Sequence, residues 1–407
     1  FRDFLPKEAK KRQYVLEKIK RVFELYGFEP LETPALEYKE LLLGKYGPEA
    51  SKLIYSFQDQ GGRDVALRYD QTVPTARILS TNSQTLPMPF RRYQMQNVWR
   101  SENPQSGRFR EFLQCDADIY GSSSPLADAE IIALTNSVFE KLGFKNFKIF
   151  VNSRKILIEL MHYASIPEAQ NIEVISEIDK LDRKSKEEVI NSLLQSGLSK
   201  ESIDHLFHHL EEEKPTEEID KVTKAAINLG VPEERLVFQA RLARGLDYYT
   251  GTIFEVKIDE YKAGSVAGGG RYDNLIKEFS GLEIPAVGIA FGFDRTIEAM
   301  DQLDLFPQKG KRSGILVTIF KPEFSVNSLS VAKTLRESGL DCELFPDENQ
   351  DLRKQLKYAD KKGVKWLIVV GPDEVKKESV ILKDLETGHQ EDIKLNDLVK
   401  RLTMSND

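Results

Sequence analysis

Cysteine is nearly absent from this chain: two in 407 residues, Cys115 and Cys342, far apart and with no CxxC spacing. A disulfide framework and a cysteine zinc site are therefore excluded, and a reducing, cytoplasmic compartment is expected. Long apolar runs are missing as well. Trp366-Leu367-Ile368-Val369-Val370 is among the longest and is only strand-length, so no membrane span is expected. GxxxxGK(S/T), GxGxxG after a strand, HExxH and GxSxG are all lacking, which removes support for a P-loop, a dinucleotide fold, a zinc peptidase or a nucleophile elbow. Nor is there a large excess of positive charge. A net charge of −7 argues against non-specific coating of nucleic acid, although a local basic surface on an acidic protein still suits a structured RNA.

What remains is an ordinary globular composition in a chain long enough for two or three domains. Val15, Leu16, Ile19, Val22, Phe23 and Tyr26 recur at helical spacing and stop at Gly27. Prolines 30 and 34 keep the segment 28–37 extended, in a manner suited to an edge or an interface. Residues 55–68 read as a hairpin, and 91–100 with 109–120 as a longer one whose connecting loop is rich in Arg, Asn and Gln. A helix is expected over 125–142, closed by Gly143. From 165 to 236 the composition turns to Glu, Lys, Ser and Leu at helical spacing, which marks a helical insertion in a sheet domain. His205, His208 and His209 within it lack the ligand-spaced carboxylate or cysteine that a metal site needs. After a polar linker at 308–313, strands and helices alternate, as in a small α/β domain with a mixed or parallel sheet. There Arg353, Lys354, Lys357, Lys361, Lys362 and Lys365 gather on one helix and its following loop. They read either as a phosphate-facing patch or as a solvated helix face.

Arg244-Gly245-Leu246-Asp247-Tyr248-Tyr249-Thr250-Gly251 places a fixed cation, two phenols and two glycines just before a strand-like run, 252–258. By itself the stretch reads equally as a strand edge with an aromatic belt. On a strand the two tyrosines would face opposite sides, so that one of them could point into a pocket with Arg244. Arg68, Arg100, Arg108, Arg110, Arg244, Arg271 and Arg295 all stand where loops and strands should meet. Phosphoryl and adenylyl transfer needs such donors, because a planar guanidinium grips two phosphate oxygens at once.

Arg100-Ser101-Glu102 with Gly107-Arg108-Phe109-Arg110-Glu111-Phe112 resembles the motif 2 hairpin of class II aminoacyl-tRNA synthetases. Gly288 with Gly292-Phe293-Asp294-Arg295 resembles their motif 3, and the segment at Pro34 their motif 1, the dimer contact of the class. Within that class, the stretch 244–251 and Gly269-Gly270-Arg271-Tyr272-Asp273 resemble the fingerprints of the histidyl-tRNA synthetase family, along nearly the whole chain. The resemblance implies an α+β catalytic domain on a mainly antiparallel sheet (1–310), interrupted by a helical insertion domain (165–236), and a C-terminal α/β anticodon-binding domain (311–407). The reaction implied is activation of histidine by ATP, with Mg2+ on the outer phosphates, and transfer to the 3′ end of tRNA(His), by a homodimer.

Residue by residue, the resemblance implies that Arg100 and Arg244 are catalytic and hold the α-phosphate. Arg108, Arg110 and Arg295 would bind ATP, and Glu102 would meet the adenine amino group. Asp70, Thr72 and Gln114 would surround the amino end of histidine beside Arg100. Asp118 and Tyr249 would bond the two imidazole nitrogens, with Tyr248 adjacent. No metal is expected from protein side chains alone. Neutral imidazole offers one donor and one acceptor, so an acid on one side and a phenol on the other fix its tautomer and reject side chains lacking either nitrogen. Gln105, Arg108, Arg353, Lys354 and Lys357 would contact tRNA. Asp70 and Asp118 stand where part of the family carries a longer acid. A non-catalytic paralogue, such as a regulatory subunit of ATP phosphoribosyltransferase or an amino-acid sensor, could lose Arg244 or the last domain; this sequence keeps both.

Overall fold

The computed structural model describes residues 1–43, 53–102, 109–244, 248–307 and 312–404, with backbone alone for 278–280. Residues cluster into two compact units, Phe1–Phe306 and Pro307–Asp407. Among the described residues no helix is long and apolar enough to cross a membrane.

The first unit is built on an eight-stranded sheet. Numbering strands along the chain, its order is β1 (Glu29–Pro30), β5 (Phe90–Trp99), β6 (Glu111–Tyr120), β11 (Ala286–Gly292), β10 (Ala267–Arg271), β9 (Thr252–Ile258), β7 (Phe147–Ser153) and β8 (Leu236–Phe238). Only the outermost pairs, β1 with β5 and β7 with β8, are parallel. All inner pairs are antiparallel, so the fold is α+β on a mainly antiparallel sheet. A smaller sheet, β2 (Leu36–Tyr38), β4 (Asp64–Leu67) and β3 (Ser56–Gln58), contains the expected hairpin at 55–68. Residues 241–244 form a turn and an irregular segment, because Asn152 donates its side-chain amide to the carbonyls of Ala240 and Leu242 and takes the place of a ladder partner.

Alternation along the central strands gives the sheet two unlike faces. One carries Tyr93, Cys115, Ala117, Ile289, Phe291, Phe254 and Val256, all buried in a single apolar cluster. Helices Pro6–Leu25 and Pro125–Leu142 close this side. Phe23 lies 5.7 Å and Phe139 5.9 Å from Phe291, measured between ring centroids. The second helix starts as its sequence dictates, with Pro125 at the first turn and the Ser124 hydroxyl accepting from the Leu126 amide, and ends on Gly143 at φ 94°. Helices Asn171–Asp179, Lys186–Gln195, Lys200–Glu212 and Glu217–Asn228 follow through the stretch 171–228 and bury Val174, Leu193, Leu206 and Val222 in the same cluster.

β10 is an unusual central strand, Ala-Gly-Gly-Gly-Arg, where glycine would ordinarily weaken pairing. Close approach explains it. A Cβ on Gly269 would collide with the Gly288 carbonyl oxygen, and one on Gly268 with the Arg244 guanidinium.

The second unit has a five-stranded mixed sheet in the order β13 (Cys342–Leu344), β12 (Ile315–Val317), β14 (Trp366–Val369), β15 (Ser379–Asp384) and β16 (Gln390–Lys394). Its first three strands are parallel and its last two antiparallel. The basic helix is Leu352–Lys362, capped by the Asp351 carboxylate on the Lys354 amide. Arg353, Lys354 and Lys357 on it are exposed.

Two of the arginines expected near phosphates are instead structural. Arg68 is buried and donates to the carbonyls of Thr33, Pro34 and Asn97 and to the Gln96 side chain. Arg271 is buried on the Asp128 carboxylate and also reaches Asp273 and the carbonyls of Ser122 and Ser124. Removing one partner of such a buried pair leaves an uncompensated charge. Asp128→Ala is accordingly expected to cost about 3 kcal/mol in urea unfolding, whereas an unchanged midpoint would mean that Arg271 is held without it.

Candidate active site

The face of the large sheet opposite the apolar cluster is polar and floored by glycine. Across its centre run rows of directly opposed residues. Arg92, Asp118, Gly288 and Gly270 form one; Gln94, Asp116, Ala290, Gly268 and Glu255 the next; Gln96, Gln114 and Gly292 a third. Gln114, Asp116 and Asp118 are alternate residues of β6, so they share this face at a spacing of roughly 6.8 Å. The arrangement is a trough of carboxylates and amides with small residues opposite them.

Asp118 is fixed from two sides. Its Oδ2 lies 2.9 Å from Nη2 of Arg92, and its Oδ1 accepts the hydroxyl proton of Tyr272. The same Oδ1 sits where a Cβ on residue 288 would be, so only glycine fits there. Burial pushes the Asp118 carboxyl up, and Arg92 and Tyr272 oppose that push. Arg92 itself is 0% exposed. Burial works against its charge, but Asp118, Tyr120, Asp116 and Tyr272 outweigh that effect. Asp116, buried with one oxygen accepting from the Gln114 amide at 2.9 Å, is pushed up to about 8 by burial, with Asp118 and Asp70 adding to the shift and Arg92 opposing it.

Arg244 adopts φ 55°, a left-handed conformation rare for a residue with a side chain. Its guanidinium lies over Gly268 and donates to Glu255 at 3.1 Å. Here too burial works against the charge, and Tyr249, Glu255 and Asp179 prevail. Nε of Arg244 is buried and has no aligned acceptor among the described residues. Gly245, Leu246 and Asp247 lie outside the described residues.

The two tyrosines do not face opposite ways. Neither lies in a strand, and their ring centroids are 4.9 Å apart. Tyr248 meets Tyr272 edge-on at 5.5 Å. Burial raises both phenols, so both remain protonated; Tyr248 feels Asp70 and Asp116, and Tyr249 feels Arg244 and Asp118. The expected alternation fails because the strand begins only at Thr252.

Asp70 and Thr72 stand at the start of helix Thr72–Asn82, where Asp70 Oδ1 accepts from the Val73 amide at 3.1 Å. Arg100 closes the other end of the trough. It donates to the Tyr69 carbonyl at 3.1 Å and lies 4.3 Å over the Tyr69 ring. Arg110 donates to the Glu102 carbonyl at 3.1 Å, and Arg295, on the helix that follows β11, to the Ser265 carbonyl at 2.8 Å. Gln105 and Arg108 lie outside the described residues. Arg353, Lys354 and Lys357 belong to the second unit.

Sequence reasoning missed Arg92, Asp116, Glu255 and the contact of Tyr272 with Asp118. Arg92 and Asp116 carried a usable signal: charged residues at strand positions whose alternation also includes Gln94, Gln96, Gln114 and Asp118. Glu255 carried none, since its placement under Arg244 depends on the register of β9 with β10.

A family model described as histidyl-tRNA synthetase matches residues 1–296, and one described as an anticodon binding domain matches 314–404. The histidine–tRNA ligase of Gloeobacter violaceus is 41% identical, covering 97% of this chain and 95% of that relative. That of Wolinella succinogenes is 39% identical over 96% and 93%. Among solved structures, histidyl-tRNA synthetase from Nostoc sp. PCC 7120 superposes with a TM-score of 0.84 at 31% identity, covering 100% of this chain and 98% of that one.

Asp116 gives the trough a measurable pH signature. Its folded pKa near 8 lies above that of an unfolded aspartate, so the folded state holds a proton that the unfolded chain releases. The resulting stability is complete below about pH 4 and is lost as pH rises through about 8, at no more than about 1.4 kcal/mol per pH unit. Asp116→Asn is expected to flatten that decline in urea unfolding at a series of pH values, and an unchanged slope would contradict a neutral Asp116.

Proposed function

The chain belongs to the histidyl-tRNA synthetase family, and on that premise we propose how its residues divide the reaction. The enzyme uses ATP to convert histidine to histidyl-adenylate and transfers the histidyl group to the 3′ end of tRNA(His). The observation that carries the division of labour is the polar sheet face, with Asp118 toward one end, Arg100 and Arg295 toward the other, Arg244 over Gly268 between them, and Tyr249 within the field of both Arg244 and Asp118.

Asp118 and Tyr249 take the imidazole, one accepting from its N–H and the other donating to its bare nitrogen. Tyr248 borders the same pocket. Asp70, Thr72 and Gln114 surround the amino end, beside Arg100. The histidine carboxylate is ionised at neutral pH and needs no general base. It attacks the α-phosphorus in line, and pyrophosphate leaves. Arg100 and Arg244 meet the α-phosphate oxygens as charge builds on them; Arg108, Arg110 and Arg295 hold the rest of the nucleotide, and Glu102 meets the adenine amino group. Release of Arg244 from Glu255 toward the phosphate would satisfy its Nε, which has no aligned acceptor among the described residues.

Mg2+ bound with ATP would supply charge neutralisation at the outer phosphates; among the described residues no group of three His, Cys, Asp or Glu side chains is placed to hold a metal ion. The tRNA end meets Gln105 and Arg108, and Arg353, Lys354 and Lys357 meet its anticodon arm. The domain limits are 1–310, with an insertion at 165–236, and 311–407. The working form is a homodimer in the cytoplasm, joined along the 28–37 segment. Exposed Leu36, Tyr38 and Phe57 on the small sheet beside it support that contact.

Histidine-dependent exchange of pyrophosphate into ATP tests these roles. Arg244→Ala is expected to lower its kcat by about 10²- to 10³-fold, the loss typical of one transition-state donor. Arg353→Ala with Lys357→Ala should leave exchange intact and raise KM for tRNA(His). Full exchange activity in Arg244→Ala would remove that arginine from the chemistry.

A further inference from the structure

We propose that Arg92 is a positioning residue for histidine recognition: it keeps Asp118 ionised and turned to accept the imidazole N–H. This rests on the reading of Asp118 as an imidazole partner.

Arg92 stands directly across from Asp118 in the β5–β6 ladder and is fully buried. Its Nη2 lies 2.9 Å from Asp118 Oδ2, yet none of its three nitrogens has an aligned hydrogen-bond acceptor among the described residues. For stability alone this is a poor use of a strand position. Desolvating a guanidinium without hydrogen bonds costs several kcal/mol, and an apolar side chain of similar volume commonly serves as well or better. What the charge does supply is a field. The groups that act on Asp118 are Arg92 from β5, Asp116 and Tyr120 from β6, Tyr272 after β10, Asp70 before helix Thr72–Asn82, and Tyr249. Two are acids, three are phenols, and Arg92 is the cation.

Without Arg92, burial and the neighbouring carboxylates would favour a protonated Asp118. A protonated acid is free to point its O–H at the imidazole and no longer favours the tautomer with N–H toward it. The geometry also fixes direction. The Arg92 charge lies 2.9 Å from Oδ2, Tyr272 donates to Oδ1, and the lack of a Cβ at Gly288 leaves room for the carboxylate on the strand. Tyr272 is steadied by Tyr120, whose hydroxyl lies 3.1 Å away. Arg92 therefore acts through Asp118 and touches no substrate.

The test is pyrophosphate exchange by the full-length chain from about pH 6 to 9.5, comparing Arg92→Met, Arg92→Lys and Asp118→Asn with the parent protein. In Arg92→Met, KM for histidine is expected to rise about tenfold or more at pH 7, and its ratio to the parent value should shrink as pH rises and the unpaired Asp118 ionises. KM for ATP should change little. Arg92→Lys, which retains the charge, should restore most of the affinity and the parent pH profile. Asp118→Asn should raise KM for histidine at every pH, without that tilt. If Asp118→Asn leaves KM for histidine unchanged, the imidazole reading itself fails. If Asp118→Asn raises it while Arg92→Met gives a normal KM or one that does not vary with pH, the Arg92 inference alone is overturned. Should Arg92→Met not accumulate as folded protein, Arg92→Gln is judged by the same two criteria.

Discussion

A carboxylate can lie flat on the middle of a β-sheet only where the neighbouring strand offers no Cβ. Gly288 gives Asp118 that space, and Gly268 gives it to the Arg244 guanidinium. These two vacancies lie on adjacent strands, and they bring an acid and a cation down onto one polar floor. Gly269 serves the same strand pair in another way, since its backbone meets the Gly288 carbonyl. A methyl group at any of these positions would push the sheet or the side chain away, and the trough would lose its depth.

Charge is then balanced at close quarters. Asp70, Asp116 and Asp118 would repel one another in a dry site if all were ionised. Arg92 compensates one, and Asp116 answers by holding a proton. Arg244 balances Glu255 and Asp179 from above the same face. The phenols of Tyr248, Tyr249 and Tyr272 remain protonated, and that of Tyr272 donates to Asp118. The result is a surface whose acceptors and donors are fixed before any substrate arrives, the condition for electrostatic preorganisation.

Much of this was legible in the sequence. Helical spacing with Gly27 and Gly143 at the ends, the hairpin around Gly61 and Gly62, and the alternating units beyond 314 all correspond to elements of the fold. These signals are local, and local rules decide them. The site was harder. Gln114 and Asp118 came from the family resemblance, not from alternation, and the tyrosine pair was misjudged because a turn was read as a strand. Arg68 and Arg271 looked like phosphate ligands because a buried structural arginine and a catalytic one share the same neighbours in sequence. Only the pairing of Arg271 with Asp128, 143 positions away, separates the two roles. Glu255 and Arg92 depend on strand register, which a single sequence states weakly.

In the proposed division of labour, one sheet face reads the imidazole at Asp118 and Tyr249 while Arg244 and Arg100 meet the reacting phosphate. A crystal structure with histidine and a non-hydrolysable ATP analogue tests it most directly. The account predicts an imidazole nitrogen within about 2.7–3.2 Å of the Asp118 carboxylate, the other nitrogen facing the Tyr249 hydroxyl, and the α-phosphate against Arg244 and Arg100. An imidazole bound away from Asp118, or an α-phosphate met by neither arginine, would contradict it.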